Sequence, residues 1–179
     1  MMQQISLYLT SIILGIMLFF SFVVAPVTFT ALDEENARKF IRKIFPYYYT
    51  VNLAISIYLT SIILGIMLFF SFVVAPVTFT ALDEENARKF IRKIFPYYYT
   101  VNLTISVLVL ILFIILKIFS LDFYLILIIA VLFAVSNFVL MPLINKFRDE
   151  KQDKKFKQSH FVSVVINFVQ IILLVIVLI

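Results

Sequence analysis

Four polar residues interrupt the last apolar stretch of this chain, in the run HFVSVVINFVQ: His160, Ser163, Asn167 and Gln170. Their spacing of i, i+3, i+7 and i+10 places them within about 80° on one helix face. An imidazole, a hydroxyl and two amides in such a stripe suit three kinds of chemistry. They can hydrogen-bond neighbouring helices, line a path for a small polar solute, or hold a haem iron on one side through the imidazole. Nucleophilic catalysis is not among them, because no Ser/His/Asp arrangement, P-loop or GxGxxG accompanies the stripe. The sequence therefore predicts no enzyme.

The expected counterparts are Ser136 and Asn137, shortly before Pro142, and the hydroxyls of Thr10, Ser11 and Ser21 or their copies further on. Asn137, His160, Ser163, Asn167 and Gln170 form the candidate binding set. Arg148 and Asp149 follow as a juxtamembrane pair, read as solvated or as a salt bridge at the helix end. Metal chemistry has little to work with. The chain has one His and no Cys, and of its five Met two are at the start and two are repeats of each other. No cofactor is expected.

These residues must be positioned by elements that lipid, not water, surrounds. Hydrophobic residues make up 64% of the 179, charged residues 14%, and the mean hydropathy is +1.12. Charges are segregated: none lies between Met1 and Leu32 or between Phe161 and Ile179. The net charge of +5 therefore belongs to loops, which points to anionic lipid head groups as partner and away from nucleic acid. A helix spanning a bilayer needs about 20 mostly apolar residues. Five stretches qualify: Ile5–Val27, Asn52–Val77, Val101–Phe119, Leu121–Leu143 and Phe161–Ile179. With no alternating pattern for a barrel, the fold class is all-α, an integral membrane helical bundle. The first stretch is longer than a signal-peptide core and lacks a basic leader, so it reads as a retained span.

Between spans lies TALDEENARKFIRKIFPYYY, with Ala37, Phe40, Ile41, Ile44 and Phe45 on one helical face and Glu34/Arg38 and Glu35/Lys39 pairs on the other. It reads as an amphipathic interfacial helix, started by a capping box at Thr30–Asp33, ended by Pro46, and followed by a tyrosine belt at Tyr47–Tyr49.

The segment recurs. Tyr8–Leu53 and Tyr58–Leu103 are identical over 46 residues, so residues 1–50 and 51–100 are tandem copies of a span plus an amphipathic helix, and 101–179 carries three further spans. Nothing physical requires every exposed side chain of two copies to match. The cause lies in the gene: a recent duplication, a design, or an error of assembly. Removal of one 50-residue unit leaves a four-span parent with basic loops on one side, as the positive-inside rule asks. Adding it back puts the two basic segments on opposite sides if every span crosses. Ten Lys and Arg on the side of the second copy and the late loop then face five on the other, and Arg38–Lys43 is left outside. The whole is expected to be one membrane domain.

Taken together, LFFSFVVAPVTF, ARKFIRKIFPYYY, Asn137 before MPLINKFRD, and His160, Ser163 and Asn167 resemble the transmembrane-protein-205-like family of small four-span membrane proteins. Its bacterial members carry a domain of unknown function. The resemblance implies a four-helix bundle without an established activity, in the bacterial inner membrane. The expected function is that of a non-enzymatic structural, partner-binding or solute-handling bundle. The alternatives are a small transporter or channel using the last-span stripe, or a haem- or metal-related protein using His160. A homo-oligomer or helix-swapped dimer is the further expectation, because two identical segments can compete for one place.

Overall fold

The computed structural model describes residues 24–179, and there the chain is helical throughout. The expected first span, Ile5–Val27, lies almost entirely outside the described residues. The helices are α1 (Ala25–Ala31), α2 (Glu34–Phe69), α3 (Ala75–Ala81), α4 (Glu84–Ile115), α5 (Leu121–Val135), α6 (Met141–Asp149) and α7 (Asp153–Leu178). π-helical segments at Phe70–Val74 and Ser136–Leu140 join α2 to α3 and α5 to α6 without a break. Among the described residues, four helices are long and apolar enough to cross a membrane: Glu34–Ala81, Glu84–Ile115, Leu121–Asp149 and Asp153–Leu178.

The prolines behave differently from expectation. Pro46 and Pro96 lie inside α2 and α4, and each amphipathic segment runs on into the following span. An interior proline removes one backbone donor and crowds the carbonyl four residues back. Those losses are confined to the turn before the ring, and the helices of 36 and 32 residues continue through it. At 32 residues, α4 is about 48 Å long, well beyond the ~30 Å hydrocarbon layer, so its charged first turns extend past an apolar layer of that thickness. Pro76 and Pro142 are accommodated another way. Each occupies the second position of an α-helix that follows a π-helical segment, whose wider turn shifts the hydrogen-bond register ahead of the ring.

The helix starts also differ from the expected capping box. Asp83 caps α4, its carboxylate accepting the Asn86 backbone N–H at 2.9 Å while the Asn86 side chain donates back to it at 2.7 Å. Those bonds, the backbone one foremost, hold the Asp83 carboxyl below the usual aspartate range. Asp33 and Asn36 repeat the arrangement in the first copy.

The chain falls into two compact units, Met1–Tyr58 and Leu59–Ile179. In the first, Thr28, Ala37, Tyr48, Asn52 and Ser56 are buried. The second holds an apolar core in which Ile63, Met67, Val109, Ile126, Ile129, Phe133 and Leu174 are fully buried. There α5 packs between α4 and α7, and α6 against α7. Lipid is as apolar as these side chains, so dispersion and close packing, not escape from water, hold the helices together within the bilayer.

Two turns close this second unit with lysine in the left-handed conformation, Lys117 at φ 55° and Lys151 at φ 54°. Each follows a helix C-terminus in a Schellman arrangement, Ile118 N–H reaching Phe113 O and Gln152 N–H reaching Phe147 O at 2.9 Å. A side chain there costs on the order of 1 kcal/mol that glycine avoids. Lys151→Gly should therefore stabilise the unit by about 0.5–1 kcal/mol, read as a higher unfolding midpoint in detergent. An unchanged or lower midpoint would show that the lysine charge matters more than its backbone.

Candidate functional site

The polar stripe of α7 finds its partners in the second unit. Tyr98, on α4, donates its hydroxyl to Asn167 Oδ1 at 2.9 Å, and Asn167 Nδ2 donates to Ser71 Oγ at 3.0 Å. Ser71 sits in the π-helical segment before α3 and is the copy of Ser21, one of the hydroxyls expected to meet the stripe. Tyr99 and Ser163 share a hydrogen bond at 3.3 Å, and Gln170 Nε2 donates to the Ile129 carbonyl of α5 at 3.3 Å. Three helical lines are thus tied to α7 by three of its four stripe residues.

His160 is the exception. It is exposed, and its ring stacks parallel on Phe156 at 6.0 Å between centroids. Ser159 takes the buried place on that turn and donates to the Lys155 carbonyl. Among the described residues no three His, Cys, Asp or Glu side chains cluster as a metal site. Asn137 also goes elsewhere, donating to Thr100 Oγ1 at 3.2 Å on the outside of the bundle.

Tyr98 and Tyr99 were not legible as site residues. They are each only 5% exposed, whereas neighbouring Tyr97 is 70% exposed; in the belt expected at Tyr47–Tyr49, Tyr47 and Tyr49 are exposed and Tyr48 is buried. Phe70 stacks on Tyr98 at 4.4 Å and Phe95 on Tyr99 at 5.5 Å, fixing both rings. The signal was a periodicity continued through the proline: Tyr98, Asn102, Ser106, Val109 and Phe113 lie on one buried face of α4.

Asn102 is a separate case. Its Nδ2 donates to the Tyr98 carbonyl at 2.7 Å, turning Oδ1 outward from the helix, fully buried and without a hydrogen-bond partner. Asn52, its copy, repeats the bond to Tyr48 O at 2.7 Å and the unpartnered Oδ1. The orientation is therefore set by local sequence, not by the surroundings.

One end of the second unit is an ionic cap. Arg148 bridges to Glu84 at 3.1 Å and Arg92 pairs with Asp149, so the juxtamembrane pair is split between two bridges to α4. Arg148 lies 4.8 Å over the Phe156 ring and Lys155 lies 5.5 Å over Phe147, a reciprocal cation–π clasp across the α6–α7 turn. These bridges put Arg88–Lys93 and Lys146–Lys157 at one end, with Lys117 in the turn after α4.

The family described as "Domain of unknown function (DUF4149)" matches the chain twice, over residues 8–62 and 58–153. An "Uncharacterized protein" of Aquifex aeolicus (strain VF5) is 36% identical over 55 residues, 31% of this chain. The chain spans 42% of that relative's length. No solved structure matches. Each family match begins at the first residue of one repeat, Tyr8 or Tyr58, and the longer covers the elements that bring Ser71, Tyr98, Tyr99 and Asn137 into place. The chain belongs to the DUF4149 domain-of-unknown-function family.

Proposed function

We propose that this protein is a non-enzymatic, multi-pass membrane bundle of the transmembrane-protein-205-like kind, resident in a bacterial inner membrane and contacting anionic lipid head groups with its basic end. The observation that supports a structural role is the fate of the α7 stripe. Ser163, Asn167 and Gln170 each engage another helix, which is how polar side chains in lipid fix helix register. The repeat adds a second set of the same side chains and no new kind of side chain.

One observation favours a second reading. The buried Asn102 Oδ1 lacks a donor, and an unpaired buried acceptor costs about 1–3 kcal/mol. A small neutral solute carrying an O–H or N–H would remove that cost, which is the chemistry of a small transporter or channel, here at Asn102 on α4 and not at the α7 stripe. Stopped-flow measurement of glycerol and water flux into proteoliposomes separates the two. The structural reading expects rates equal to those of protein-free vesicles, and Asn102→Leu folding as well as the parent. A protein-dependent flux abolished by Asn102→Leu in folded protein would establish the solute reading instead.

A further inference from the structure

We propose that the outer seam between α4 and the Ser136–Leu140 segment, centred on Asn137, is where a second copy of this chain docks, amide against amide. The proposal rests on the reading that these helices cross a bilayer. Ser136 is buried, while Asn137 is partly exposed and followed by Phe138, which is 68% exposed. Asn137 lies seven residues before Ile144, the last apolar residue before Asn145 and Lys146, hence about 10 Å inside the apolar layer.

A carboxamide offers two N–H donors and a two-lone-pair acceptor, and the bond from Asn137 to Thr100 Oγ1 uses one donor. In water the remaining groups would be solvated. In hydrocarbon they need protein, and the group that matches a free N–H beside a free carbonyl is another carboxamide across a two-fold axis. The neighbouring surface adds hydroxyls. Thr100 and Thr104, one turn apart, are exposed beside Asn137, and Thr104 donates to the Thr100 carbonyl at 2.8 Å. In the first copy, Thr50 instead donates to its own Pro46 carbonyl, and alanine stands at position 54. The first copy thus lacks the second hydroxyl.

Because the chain has no cysteine, single reporters test the seam directly. Phe138→Cys leaves the amide in place; Phe168→Cys, exposed on α7 and away from the α4 seam, is the control. In alkali-washed phosphatidylglycerol–phosphatidylcholine vesicles, oxidation should yield a disulfide-linked dimer through Cys at 138 and not at 168. Adding Asn137→Leu should weaken dimerisation on the order of tenfold, and Asn137→Gln should retain it. Equal cross-linking at both sites, or no effect of Asn137→Leu, overturns the proposal. So does a dimer seen by sedimentation without a cross-link at 138, which would identify exchange of the repeated segments. Loss of the protein in the alkaline wash is a separate result, and would overturn the membrane reading itself.

Discussion

Asn167→Leu should destabilise the folded bundle by about 1–4 kcal/mol, one of the two largest effects expected of a single change in this chain. Leucine is close in size, so packing is nearly conserved, and the loss falls on hydrogen bonds. The Tyr98 hydroxyl loses its acceptor and Ser71 Oγ loses its donor in a setting that water does not reach freely. Equilibrium unfolding in bicelles measures this. A change below about 0.5 kcal/mol would mean that the two hydroxyls find other partners and that the network does not set register. The repeat supplies an internal control. Tyr99→Phe should cost on the order of 1 kcal/mol, because Tyr99 is buried against Ser163, whereas Tyr49→Phe should be close to neutral, Tyr49 being 36% exposed. Equal effects of the two would show that identical sequence carries identical energetics in both copies.

The second large effect is topological and close to all-or-none. Arg92–Asp149 and Arg148–Glu84 gather ten Lys and Arg side chains at one end of the Leu59–Ile179 unit, against Lys117 at the turn after α4. That asymmetry should hold this end in the cytoplasm. Asn36 stands at the start of the Glu34–Ala81 span and Asn86 just after its end, so a single crossing places them on opposite faces. An impermeant maleimide added to intact cells should label Asn36→Cys and spare Asn86→Cys. Protection of both would mean that Glu34–Ala81 does not cross as one span and that the first copy's cations stay inside.

What could be read from sequence was whatever a period or a charge distribution fixes locally. The α7 stripe was visible because four polar residues stand in an otherwise apolar helix, and Ser163, Asn167 and Gln170 face the bundle as that pattern implies. His160 faces outward because the buried position on its turn belongs to Ser159, one residue earlier. Tyr98 and Tyr99 are hidden in the sequence because a proline reads locally as a helix end, which separates the tyrosines from Asn102 and Ser106 on the same face. Arg148 and Asp149 were legible as charged groups at a helix end, but their partners lie more than fifty residues away, and no local pattern encodes that pairing.

The wide turns ahead of Pro76 and Pro142 carry a consequence for how this family can change length. A π-helical turn is an α-helix holding one residue more than it needs. Phe70–Val74 and Ser136–Leu140 are therefore places where a long apolar helix holds one residue beyond the α-helical register. Relatives aligned across these segments should show single-residue gaps there and continuous helix on either side. Where such a gap occurs, the proline two residues on would have to be carried as Pro46 and Pro96 are, with one backbone bond given up inside a continuous helix.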